Sequence, residues 1–150
     1  QNKPYDIIAL ANDSLDKDAW FSAVVFKMNP SSDQCILKST QKNDLQYIPI
    51  GRKTLDLRVG EQVLALGYPK AGDLNFDSNY RAPLTLSKGI VSAIRDQSNI
   101  TQIQTDAFII NGSSGGALLD MKGNLIGITT SGFEGTQLNF AIAADEYQSL

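Results

Sequence analysis

Gly112-Ser113-Ser114-Gly115-Gly116 is a segment whose residue types and order suit covalent chemistry. Glycines let a backbone turn tightly, so that several N–H groups can converge on one point beside a serine hydroxyl. Negative charge develops at such a point when a hydroxyl attacks an acyl carbonyl, and fixed donors there lower the barrier by a few kcal/mol. The amides of Gly112 and Ser114 are the candidate donors, with Ser113 between them completing the oxyanion-binding turn. Ser114 is the candidate nucleophile rather than Ser113, because Gly115-Gly116 follows it directly. Serine–glycine clusters are also ordinary turn material, and taken alone a segment of this kind is more often a turn than a site. A phosphate-binding loop fits poorly, because it wants Gly-Lys-Ser/Thr opening a helix, whereas Ala117-Leu118-Leu119-Asp120 leads into a hairpin.

A serine hydroxyl is a weak nucleophile without a general base. The 150 residues contain no histidine, and no lysine sits in a serine–lysine motif. The single cysteine, Cys35, cannot form an internal disulfide and has no histidine to activate it. In the run Cys35-Ile36-Leu37 it reads as a small buried hydrophobe. One cysteine and no histidine exclude the usual zinc ligand sets, leaving only carboxylates, and the sequence implies no metal or organic cofactor.

The elements that must position this segment read as strands almost throughout. Short β-rich runs recur about every ten residues between Gly, Pro, Asn and Asp clusters. Residues 5–10, 20–28 and 34–39 are such runs, with a turn at 12–14 and a linker-like stretch at 40–57. A second series follows Gly60: residues 62–68, 84–94, 100–108, 117–120, 124–130 and 137–143. Residues 70–82, rich in Gly, Asp and Asn, form an exposed loop, and 144–150 begin a short terminal helix. The pattern is all-β: six later strands suffice for a closed antiparallel barrel, whereas three earlier ones do not. It divides the chain at 1–57 and 58–150. Hydrophobic residues at 42%, charged residues at 19% and a net charge of -3 suit a soluble domain and disfavour nucleic acid as a partner. No run approaches the roughly 20 apolar residues of a membrane-spanning helix.

Four ordered motifs resemble the HtrA/Deg family of bacterial trypsin-like serine proteases. Gln104-Thr105-Asp106-Ala107, then Gly112 to Leu118, then Gly123-Asn124-Leu125-Ile126-Gly127-Ile128 is similar to the region around that family's active serine. Leu57 to Pro69, Ser87 to Ile94 and Asn139-Phe140-Ala141-Ile142 resemble its other second-barrel strands. Ser113, Asn111 and Ala117 depart from its Asn, Pro and Pro. The resemblance implies a trypsin-like double β-barrel with the first barrel incomplete, and a Ser-His-Asp triad whose aspartate is Asp33 in Ser32-Asp33-Gln34-Cys35-Ile36-Leu37-Lys38. It implies that Phe108, Ile109, Ile110 and Asn111 line the primary specificity pocket, where the absence of charge favours a small or apolar substrate side chain. It also implies that Ile128, Thr129, Thr130 and Ser131 pair with the backbone of a protein or peptide substrate. The family's histidine would fall a few residues upstream of Gln1, so the chain reads as a protease fragment that is inactive in isolation. The alternatives are a pseudoprotease, or a peptide-binding or interaction module on the same fold. Unpaired edges of the first barrel predict homo-oligomerisation or edge pairing, and the resemblance suggests export to the bacterial periplasm or cell envelope. Asn99-Ile100-Thr101 is a glycosylation sequon of the kind that arises by chance.

Overall fold

A computed structural model describes residues 7–10, 20–40, 47–68, 84–97, 99–109, 111–132 and 136–148. The expected turn at 12–14, the loop at 70–82 and Ile110 lie outside the described residues. Contacts divide the chain into two units, Gln1–Tyr47 and Ile48–Ser149.

The first unit is an open antiparallel sheet of β1 (Ile7–Leu10), β2 (Trp20–Asn29) and β3 (Gln34–Ser39), in that order. A 3-10 turn, Pro30–Ser32, joins β2 to β3; the Asn29 side chain accepts from the Ser31 amide at 3.2 Å, and Pro30 supplies the fixed first φ. On β3 the side chain that turns inward is Gln34, whose Oε1 accepts from Ser32 Oγ at 2.6 Å. Successive residues of a strand alternate between faces, so Cys35 points the other way. It is exposed, opposite the equally exposed Met28, and not the buried hydrophobe its apolar neighbours suggested.

The second unit is a closed barrel of six strands in the order β4-β5-β6-β9-β8-β7. They are β4 (Gln62–Gly67), β5 (Thr85–Gln97), β6 (Ile100–Thr105), β7 (Ala117–Asp120), β8 (Leu125–Gly132) and β9 (Asn139–Ala143). On β4 the alternation is plain: Val63, Ala65 and Gly67 face inward and are buried. Val63, Val91, Ile103, Leu118, Ile126 and Ala141 fill the barrel. Burying a side chain such as Val or Leu contributes about 1.5–3 kcal/mol, and no such cluster forms in the first sheet among the described residues. The all-β expectation therefore holds, as one closed barrel and one open sheet.

Residues 48–57 attach to this barrel. Gly51 N donates to Leu125 O at 2.7 Å and Leu125 N to Pro49 O at 2.8 Å, a short parallel bridge beside β8, and Leu57 joins the core. Thr54 is held by Asp145, whose Oδ2 accepts from the Thr54 amide at 3.1 Å; Asp145 lies in the terminal 3-10 turn, Ala144–Gln148.

Candidate active site

The serine–glycine loop, residues 111–116, enters β7 between two walls. On the β8 side it continues the β7 ladder, whose last register partner is Ala117 with Ile128. Gly115 N donates to Thr129 O at 2.7 Å, and Thr129 N donates to Gly116 O at 2.9 Å. On the β4 side Gly116 lies so close that an added Cβ would stand 2.1 Å from Leu66 O, and one on Gly67 would stand 2.9 Å from Ser113 Cβ. Glycine is required at both by close approach. Gly112 and Gly115 have φ of +93° and +84°, the left-handed region that glycine enters without steric cost.

Between these walls the two serines point opposite ways. Ser113 is buried against Gly67, whereas Ser114 is exposed. Ser114 Oγ donates to Thr130 O at 2.7 Å, where the β8–β9 register shifts at a bulge between Thr129 and Ser131. The loop thus presents one hydroxyl, that of Ser114. Among the described residues, the amides of Gly112 and Ser114 donate to no protein acceptor.

Thr129 differs from what its neighbours suggested. Its side chain is 1% exposed beneath the loop, where Oγ1 donates to Ser113 O, and its backbone N–H and C=O are both taken by Gly116 and Gly115. It supports the loop from below and also lines the cavity that reaches Phe108, Ile109 and Ser113. Ile128 is half-buried in the β7–β9 ladders, and Ser131 is paired in register with Phe140.

The wall of the adjoining cavity comes from the exit of β6. Asp106 turns back so that Oδ1 accepts from Ile90 N at 2.7 Å, which ends the strand at Thr105 instead of 108. Thr105 Oγ1 accepts from Ala107 N at 3.0 Å. Asn139 Nδ2 donates to Ala107 O at 2.9 Å, and Ser87 Oγ to Phe108 O at 2.9 Å. Neither side chain was singled out in the sequence, although Ser87 and Asn139 each open one of its motifs. Phe108 is exposed, Ile109 is buried and Asn111 is exposed, and the cavity beside them, reaching Ala65, Thr85 and Ser113, has no charged lining residue.

Asp33 belongs to the first unit, as the left-handed C-cap of the 3-10 turn (φ 54°), an exposed position with its amide 3.4 Å from Pro30 O. Short polar side chains tolerate this backbone region better than other non-glycine residues do.

Comparison with known proteins settles the family. Residues 3–128 match the model of the trypsin-like peptidase domain. The chain belongs to the HtrA/Deg-like trypsin-fold serine proteases. It is 34% identical over 133 residues to the mitochondrial serine protease HTRA2 of Bos taurus, covering 83% of this chain and 26% of that protein. Identity is 37% over 120 residues with a probable periplasmic serine endoprotease DegP-like of Pseudomonas fulva, covering 76% of this chain and 23% of that one. Among solved structures, the HtrA-type protease AlgW with decapeptide aligns with a TM-score of 0.73 at 32% identity, over 88% of this chain and 40% of that chain. The HtrA-like chain thus spans about a quarter of the length of these curated relatives.

Proposed function

We propose that this chain carries the nucleophile and the orienting carboxylate of a serine endopeptidase. Ser114 attacks the substrate carbonyl, the amides of Gly112 and Ser114 bind the developing oxyanion, and Asp33 orients an imidazole supplied from outside these 150 residues. An imidazole takes the hydroxyl proton on attack and gives it to the amine as the C–N bond breaks. Water then hydrolyses the acyl-serine ester with the same imidazole as base, so one water is consumed and the enzyme is left unchanged. The observation that carries this reading is the single exposed hydroxyl of Ser114, set in a doubly braced glycine loop beside two amides that donate to no described protein acceptor.

β7 stops pairing with β8 at Ile128 and the loop stands in its place at Thr129, so the stretch from Thr130 to Gly132 is where an extended peptide would add to the sheet. That AlgW is described with a bound decapeptide supports a peptide substrate. The uncharged cavity behind Phe108 suits a small or apolar side chain. Relatives named as periplasmic support an exported location, and a mitochondrial one shows that the fold serves other compartments.

The absence of histidine favours a second reading for these residues alone, peptide binding at the same edge without cleavage. Fluorophosphonate labelling of the full-length protein separates the two. Labelling is expected in the wild type and in Ser113→Ala, and lost in Ser114→Ala, with kcat falling on the order of 10⁶-fold as for removal of an active serine. Labelling that survives Ser114→Ala would sink the assignment. Full-length protein that binds peptide but never labels would favour the second reading.

A further inference from the structure

We infer that Thr129 is a positioning residue that sets the orientation of the Ser113–Ser114 peptide, and hence aims the Ser114 amide at the oxyanion. The inference rests on the reading of Ser114 as the nucleophile.

No peptide in the described chain is cis. In a planar trans peptide the carbonyl and the next N–H point in opposite directions. Whatever holds Ser113 O inward therefore turns the Ser114 N–H outward, to the side on which the Ser114 hydroxyl stands exposed. Two donors hold Ser113 O: Thr129 Oγ1, and Gly116 N at 3.0 Å. The Thr129 hydroxyl also lies 3.3 Å from Gly116 O, so its one proton sits between two carbonyls of the loop. Its own backbone is fixed by the Gly115 and Gly116 bonds, and the side chain is buried, so the donor has little freedom to leave.

The loop needs such a hold. Turning that peptide over rotates ψ of Ser113 and φ of Ser114. Each serine has on its other side a glycine at positive φ, Gly112 and Gly115, where the backbone adjusts at little steric cost. A flipped Ser113–Ser114 peptide would put a carbonyl oxygen where the oxyanion must form, replacing attraction by repulsion. Removing the hydroxyl leaves Ser113 O with one donor in a buried site, which favours that flip.

The test compares Thr129→Val, which keeps the shape and loses the donor, with Thr129→Ser, which keeps the hydroxyl and loses the methyl, in the full-length protein. Turnover of a peptide substrate is expected to fall roughly 10- to 100-fold in kcat for Thr129→Val, in the direction of losing an oxyanion donor, with KM little changed. Thr129→Ser is expected to restore most of kcat. Equal loss in both variants would show that the methyl matters and the hydroxyl does not, and would overturn the inference. Should Thr129→Val fail to fold, Thr129→Cys, whose thiol is a weak donor, replaces it, with the same split expected against Thr129→Ser. A crystal structure of the donor-less variant gives a readout independent of activity. A flipped or doubled Ser113–Ser114 peptide is expected, and an unmoved one overturns the inference. If Ser114→Ala turns over substrate like the wild type, the nucleophile reading has failed, and the crystal structure still decides what Thr129 does.

Discussion

At Gly67 the site depends on the absence of a side chain. An added Cβ would stand 2.9 Å from Ser113 Cβ and 3.0 Å from Ser113 Cα, and neither atom belongs to a flexible side-chain end that could swing away. Gly67→Ala must therefore push Ser113, the residue directly before Ser114. Overpacking of this kind costs about 1–3 kcal/mol, which thermal unfolding measures, and fluorophosphonate labelling should fall further than that loss accounts for. Full labelling at a normal rate in a stably folded Gly67→Ala protein would show that Ser113 need not sit where it does. The exposed placement of the Ser114 hydroxyl agrees with the order of serine and glycines in the sequence, because the flanking glycines allow the tight turn that presents it. The buried position of Thr129 beneath the loop was not legible. Adjacent threonines on one strand face opposite ways, and which one lies beneath the loop depends on the register and bulge of β8, which residue types alone do not fix.

The β7–β8 hairpin shows the same economy at the scale of an element. Met121-Lys122-Gly123 reads as a turn, Gly123 takes φ +84°, and Asp120 closes it. Its Oδ1 accepts from the amides of Lys122 and Asn124 at 2.8 and 2.9 Å, and Oδ2 accepts from Asn124 Nδ2 at 2.9 Å. Burial raises the Asp120 pKa, but the bonds from Asn124 and Lys122 and the charge of Arg52 outweigh it and hold the carboxyl below its ordinary value of 3.8. A carboxyl depressed in the folded state stabilises the fold above its unfolded pKa and loses that contribution as pH falls through the folded value. Asp120→Asn should therefore lower stability by about 1 kcal/mol near neutral pH, and the gap to the wild type should narrow below the ordinary value of 3.8. Denaturant melts at pH 7 and pH 3 check this, and a gap that is constant across that range would refute it. Strand existence was legible here and around the barrel, from apolar runs cut by turn residues. Strand ends were less so: β6 stops at Thr105 because Asp106 spends its carboxylate on the Ile90 amide, a contact between segments far apart in sequence.

Across the whole chain, buried apolar side chains are distributed unevenly. Among the described residues, Ala23 is the buried hydrophobic residue of the open sheet, and every member of the main core cluster lies between Leu57 and Ala143. Val24, Phe26 and Met28 of β2 and Leu37 of β3 are all exposed, and Cys35 with them. Regions with few buried apolar contacts open at lower free energy than a packed core does. The two units should then differ in native-state hydrogen exchange, with amides of Val91, Ile103 and Leu118 exchanging last and those of β2 and β3 well before them. A chemical probe gives the same comparison from a side chain. Because Cys35 faces outward on β3, Ellman's reagent should titrate its thiol in native buffer, with no denaturant and with the barrel still folded by near-ultraviolet circular dichroism. A thiol that stays silent until the barrel melts would mean that the outward face of β3 is covered in solution and that the sheet opens only together with the core.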